Sequence, residues 1–177
     1  MAEITITSLT PTLETRKSLS EMLIEVVANG GSVSFMHPLS FEAAEAFWQR
    51  SLEAMNRGER IILGAFDGKS LVGTVTLLLD CPPNQPHRAE IAKLMTRISH
   101  RRRGVARALM VEAERLAIEK SKTLLVLDTA ADGGASSLYE GLGYTLAGVI
   151  PDYALKPLGG LTATMIYWKR PGYSVDA

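Results

Sequence analysis

Ile4 and Ile6 alternate with Thr5 and Thr7, the period-2 pattern of a strand. The spacing then lengthens. Leu13, Leu19, Met22, Leu23, Val26 and Val27 recur at helical steps and predict a helix over residues 10–28, stopped by Asn29-Gly30-Gly31. Beyond a loop through Pro38, Ser40 is an N-cap for a second helix reaching about Arg57, with Glu42 in its first turn. Apolar, β-rich runs at 60–66 and 70–80 flank an Asp67-Gly68 turn. Pro82, Pro83 and Pro86 break the chain, and a strand resumes over 87–97. Val105, Ala106, Leu109, Met110, Ala113, Leu116 and Ala117 mark an amphipathic helix. The unbroken apolar run 123–127 predicts a strand buried on both faces. A short helix over 133–142 and strands over 144–150 and 161–168 close the chain, with Pro151, Pro157 and Gly159-Gly160 in the loop between those strands.

The order is therefore β, αα, βββ, α, β, α, ββ. A strand–helix–strand passage through Leu94, Leu109 and Val126 requires a crossover, so part of the sheet is parallel. The expectation is an α/β fold: one domain over 1–177, with a mixed, mostly antiparallel sheet of about seven strands and about four flanking helices.

Composition narrows the function. Lys+Arg and Asp+Glu are both 19, so net charge gives no reason to expect a nucleic-acid or membrane partner. The apolar stretch 71–79 is interrupted by Gly73, Thr74 and Thr76 and falls short of the roughly 20 residues of a membrane helix. The first nine residues lack a basic region followed by an apolar one, and the single cysteine, Cys81, suits a reducing compartment; a soluble cytoplasmic protein is expected. His37, His87 and His100 share no ligand spacing, so no metal is expected. No G-x-S-x-G elbow exists and Cys81 has no neighbouring histidine, which argues against a covalent nucleophile.

The positive signal is Arg101-Arg102-Arg103-Gly104-Val105-Ala106, between a strand and a helix. Such a turn aims successive backbone N–H groups outward, at a helix N-terminus whose partial charge attracts anions. Gly104 lets a phosphate approach the backbone, and the arginines add charge. The pattern suits a pyrophosphate; a glycine turn with a solvated basic face is the alternative. The Rossmann and P-loop spacings are both absent.

Arg101-x-x-Gly104-x-Ala106 resembles the [QR]-x-x-G-x-[GA] signature of GNAT acetyltransferases, and Tyr139-Glu140-Gly141-Leu142-Gly143-Tyr144 resembles that family's closing segment. Further pieces resemble a toxin-resistance branch of the family that acetylates a small amino-acid-like β-lactam. They are Gly30-Gly31-Ser32-Val33, Phe35-Met36, Arg88-Ala89-Glu90, Lys93-Leu94-Met95, Leu127-Asp128-Thr129 and Pro151-Asp152-Tyr153.

The resemblance implies acetyl-coenzyme A as co-substrate and a GNAT fold. The pyrophosphate would lie on the N–H groups of Arg102, Arg103, Gly104, Val105, Ala106 and Arg107. Arg101 would orient the turn or touch phosphate; Arg102 and Arg103 are equally readable as solvated. The pantetheine arm would pair with the backbone of Leu94, Met95 and Thr96, with the Met95 N–H polarising the thioester carbonyl. Thr96 departs from the apolar β-branched residue more common there. Tyr139 would be the general acid, or a packing residue beside Leu138 and Leu142. Asp128 is preferred for binding the acceptor ammonium and Glu90 as the alternative base, each also readable as a structural carboxylate. Ser32, Phe35 and His37, in a mobile loop over 30–39, would line the acceptor side, opposite Asp152 and Tyr153 in the loop after Ile150. The expected reaction is direct attack by a small-molecule amine in a ternary complex. A peptide acceptor and a non-catalytic coenzyme A sensor are the alternatives. A homodimer is compatible, as many relatives form one, although no exposed apolar stripe in the sequence demands it.

Overall fold

The computed structural model describes residues 4–172. In chain order the elements are β1 (Ile4–Ser8), α1 (Leu13–Ala28), α2 (Phe41–Asn56), β2 (Arg60–Asp67), β3 (Ser70–Leu78), β4 (Arg88–Thr96), α3 (Val105–Glu119), β5 (Leu124–Ala130), α4 (Ser136–Glu140), β6 (Thr145–Leu155) and β7 (Leu161–Lys169). The strands form one sheet in the order β1-β2-β3-β4-β5-β7-β6. β4 and β5 run parallel, joined across α3, and the other neighbours are antiparallel. This is the mixed α/β architecture expected from the periodicities.

Each sheet face has its own core. Leu109, Met110 and Ala113 of α3 are buried with Leu125, Leu127 and Tyr167. On the other face Leu19, Met22 and Leu23 of α1 and Trp48 of α2 are buried with Ile62 and Met95. Full burial of side chains this size stabilises by roughly 1.5–3 kcal/mol each. Gly73 of β3 lets α3 sit close. A Cβ there would stand 2.7 Å from Val105 Cγ1 and 3.1 Å from Leu109 Cδ1, so the first turn of α3 rests directly on the sheet.

Three boundaries differ from expectation. α1 starts at Leu13 because the Thr12 hydroxyl accepts the Thr15 N–H at 3.1 Å, leaving Thr10-Pro11 outside. β5 is buried on one face only: Leu125 and Leu127 are buried, Leu124 and Val126 are half-buried and Asp128 is exposed. α1 and α2 cover β2 to β4 and stop short of the β5-β7-β6 end. Finally, β6 continues through Pro151 to Leu155 with a register break between Ile150 and Ala154. Proline is tolerated because β6 is an edge strand. Asp152 (φ +51) and Tyr153 therefore lie on a bulged strand rather than in a loop. The same edge exposes Leu146, Val149, Ile150, Tyr153, Leu155 and Leu161, an apolar surface that the sequence pattern did not reveal.

Candidate active site

β4 and β5 pair over only three positions, Arg88↔Leu124, Ala89↔Leu125 and Glu90↔Val126. β4 continues to Thr96 and β5 to Ala130, so the two strands part beyond Glu90. A β-bulge in β4 accompanies the split: Thr76 faces Ala92 but Thr74 faces Met95, one residue too many on β4, and Lys93 takes φ +52. Such a bulge bends its strand and re-aims side chains. Ala92 and Lys93, though consecutive, both line one hollow on the α2 side of the sheet.

The bulge also decides which backbone groups are free. The Arg97 N–H donates to the Val72 carbonyl at 2.8 Å. N–H groups two residues apart on a strand share a direction, so the Met95 N–H points to β3, opposite Thr74. It is therefore not the donor that faces the opening. Thr96, and Leu94, which has no register partner on β3, carry the backbone groups that the β3–β4 ladder leaves unused.

A 3-10 turn, Ile98–His100, leads to the basic segment. Arg102 (φ +59) and Gly104 (φ +80) reverse the chain into α3. No side chain caps α3, and a Cβ added to Gly104 would meet nothing within 4 Å. The first N–H groups of α3 therefore have no side-chain partner, and a shallow hollow of about 420 Å³ runs along the flank of the helix, lined by Ile6, Gly104, Arg107, Ala108, Val111 and Glu112. The arginines divide into two pairs. Arg101 and Arg102 are exposed and form no ion pair among the described residues. Arg103 lies 3.7 Å from Asp67, which the His100 ring also meets at 3.1 Å, and Arg107 donates to the Gly141 carbonyl at 3.3 Å, tying α3 to α4.

Tyr139 of α4 is only 6% exposed, its ring 5.7 Å from that of Tyr167 and 6.1 Å from that of Tyr144. Burial raises its pKa, against a hydrogen bond with the Thr129 side chain of β5 and with a further push from Asp128. The phenol therefore stays protonated at neutral pH. Its ring packs against those of Tyr144 and Tyr167, and that packing is compatible with proton donation by the hydroxyl.

Asp128, next along β5, is exposed and accepts from the Thr164 hydroxyl at 3.3 Å. Glu90 stands 3.2 Å from Arg88. In the sequence Lys93 enters only through the Lys93-Leu94-Met95 resemblance, with no role of its own. The bulge turns it inward: Nζ donates to Ser34 Oγ at 3.2 Å and lies 5.7 Å from the Phe47 ring centroid. Burial lowers its pKa, and the fields of Asp128 and Glu90 oppose the shift.

The α1–α2 loop is packed. Val33, Phe35 and Leu39 lie against the core, with the Phe35 ring edge-on to Phe47 at 5.1 Å. Its contact with the lysine comes from Ser34, while Ser32 is exposed. The His37 backbone N–H donates to Pro157 at 3.0 Å and pins the loop to the β6–β7 turn, leaving the His37 residue itself exposed. Asp152 and Tyr153 are exposed on β6, separated from β5 by β7.

Residues 29–144 match the family model described as Acetyltransferase (GNAT) family. The chain belongs to the GNAT acetyltransferase family. Solved structures share its fold at low identity. An N-acetyltransferase from Staphylococcus aureus Mu50 is 18% identical with a TM-score of 0.81, covering 96% of this chain and 99% of that one. A ribosomal-protein-alanine N-acetyltransferase from Brucella melitensis is 20% identical with a TM-score of 0.80, covering 94% and 99%. A phosphinothricin acetyltransferase from Sinorhizobium meliloti, in complex with acetyl-CoA, is 17% identical with a TM-score of 0.81, covering 98% and 91%.

As a GNAT enzyme the protein is an acyltransferase whose acetyl donor is acetyl-coenzyme A, the thioester supplying an activated acyl group. The residues fit that donor. The uncapped α3 terminus at Gly104 is open to an anion, Arg101 and Arg102 remain available beside it, and the free backbone of Leu94 and Thr96 continues the same path. Among the described residues no cluster of three His, Cys, Asp or Glu could hold a metal ion, and no helix is long and apolar enough to cross a membrane.

Gly104 provides a direct check. Gly104→Val places a β-branched residue at φ +80, a strain of about 1–3 kcal/mol, and fills the open space over the turn. KM for acetyl-coenzyme A should rise at least tenfold, with a smaller change in kcat at saturating donor. An unchanged donor KM in steady-state kinetics would remove the turn from the binding site.

Proposed function

We infer that the protein transfers acetyl to a primary amine of a small molecule by direct attack within a ternary complex. The observation that carries this reading is the parting of β4 from β5, with Asp128, Tyr139 and Lys93 gathered about it. Asp128 holds the incoming ammonium and takes its proton for relay to water; Glu90, already paired with Arg88, is the second candidate base. The Leu94 backbone N–H faces the carbonyl oxygen on which negative charge grows, and the Thr96 backbone further along β4 pairs with the pantetheine arm. The Tyr139 hydroxyl donates to the departing sulfur. Arg101 and Arg102, with the N–H groups of residues 103–107, hold the pyrophosphate, and Met95 contributes its buried side chain to the core.

Two observations favour a small acceptor over a peptide. The α1–α2 loop is tied to the β6–β7 turn, which narrows the acceptor side, and Phe35 closes against Phe47. Ser32, His37, Asp152 and Tyr153 then belong to the rim of the entrance. The segments containing Glu90, Lys93, Asp128 and Asp152 resemble tabtoxin resistance protein, which favours detoxification of a toxic amino-acid-like β-lactam. The test is thiol release from acetyl-coenzyme A across amino acids, β-lactam-type amines, polyamines and short peptides. Small amines should be the best acceptors; turnover of peptides alone would shift the reading to protein modification.

The exposed apolar edge of β6 favours a homodimer through Val149, Ile150 and Leu155. Sedimentation should give a dimer that Leu155→Glu dissociates. A monomeric wild type at micromolar concentration would refute it.

A further inference from the structure

A cavity of about 300 Å³ opens on the α2 side of the sheet, walled by Phe47 and Ser51 of α2, the β2–β4 strands and the loop after β3. It shares Glu90 and Lys93 with the acceptor site, so a molecule held at Asp128 has this cavity within reach. Its size is at the lower end of small-molecule pockets, roughly 300–1,000 Å³.

The polar lining is unbalanced. Arg60, Arg88 and Lys93 contribute three cations, and Asp80 and Glu90 two carboxylates. Arg60 meets Asp80 at 3.5 Å and Arg88 meets Glu90 at 3.2 Å. Among the described residues, Lys93 has only the neutral Ser34 hydroxyl at hydrogen-bond distance. Two buried polar atoms on the same wall have no partner among the described residues: Arg60 Nε, beside a Ser51 contact from Nη1 at 3.3 Å, and the hydroxyl of Thr76, a residue 2% exposed. A buried donor without an acceptor costs about 1–3 kcal/mol, a cost that an acceptor group reaching both atoms would relieve. Guanidinium and ammonium donors with a hydroxyl match an anionic oxygen group.

We propose that this cavity is a carboxylate subsite of the acceptor, with Arg60, Thr76 and Lys93 binding the carboxylate while Asp128 holds the amine, so that the enzyme selects amino acids and their analogues over simple amines. The proposal rests on the small-molecule reading above and adds a chemical requirement to it. It also accounts for a lysine held inside the fold on a bulge at positive φ, where it lacks a neutralising contact until the acceptor arrives.

The test compares acetylation of primary-amine amino acids, their carboxamides and the matching decarboxylated amines. Loss of the carboxylate should lower kcat/KM by roughly tenfold to a hundredfold, the effect of one or two charge-assisted hydrogen bonds. Lys93→Met and Thr76→Val should bring that ratio toward one; Thr76→Val removes a hydroxyl that has no partner in the fold. Calorimetric titration of the same compounds into the coenzyme A-bound protein supplies a readout independent of turnover. Amino acids should bind more tightly than their amides, and Lys93→Met should remove the difference. Equal use of amines and amino acids would overturn the subsite while leaving the small-molecule function intact. Turnover of peptides alone, with no calorimetric preference for the carboxylate, would overturn both.

Discussion

Tyr139→Phe is expected to lower kcat by roughly tenfold to a hundredfold, with no change in acetyl-coenzyme A binding. The size follows from what the hydroxyl does. An alkyl thiol has a pKa near ~8.5 and an unperturbed phenol near ~10. Burial moves Tyr139 further up, so at neutral pH its proton stays on oxygen while sulfur leaves. The contribution is then a hydrogen bond to a developing thiolate, about 1.5–3 kcal/mol, rather than a full proton transfer, for which general acid catalysis gives roughly 10²–10⁴. Phenylalanine keeps the ring contacts with Tyr144 and Tyr167, so the core is preserved. Steady-state kinetics beside a coenzyme A titration separates the two roles. A kcat within twofold of wild type would leave Tyr139 as a packing residue only.

The architecture was legible because each element carries an unambiguous period. The Leu109-Met110-Ala113 face of α3, the alternation at Ile4 and Ile6 and the Ser40 cap all survive in the structure. What misled was context that no local pattern encodes. Pro151 is an ordinary strand terminator unless the strand lies at an edge, and the edge is fixed by β7 inserting between β5 and β6. The run at Leu124–Leu127 looks buried on both faces unless the reach of α1 and α2 is known. At the site, the glycine-arginine turn stood out because anion binding needs few residue types at fixed spacing. The β4 bulge did not. One extra residue relative to β3 is invisible in a single strand, yet it directs Lys93 inward and turns the Met95 N–H toward β3. The choice of Met95 as donor and the omission of Lys93 with Ser34 both trace to that residue.

Asp128→Asn is expected to lower kcat/KM by roughly 10²–10³ near pH 7 and to change the form of its pH dependence. A lysine-like amine with a pKa near ~10.4 is neutral in only about one molecule in 2,500 at that pH. A carboxylate at the opening accepts the abundant ammonium form and removes its proton on the enzyme, so wild-type kcat/KM should be nearly flat from pH 7 to 9. Asparagine neither attracts the cation nor takes the proton, and the variant must wait for free amine from solution. Its kcat/KM should climb about tenfold per pH unit until the amine pKa is reached. Glu90→Gln is the control. Glu90 is engaged with Arg88 at 3.2 Å in a partly exposed pair, worth about 0–1 kcal/mol, so its loss should cost less than tenfold and leave the profile flat. If Glu90→Gln instead shows the steep profile and Asp128→Asn the flat one, the base is the carboxylate on β4. If wild type itself climbs tenfold per unit, neither carboxylate is the base, and the acceptor loses its proton before it binds.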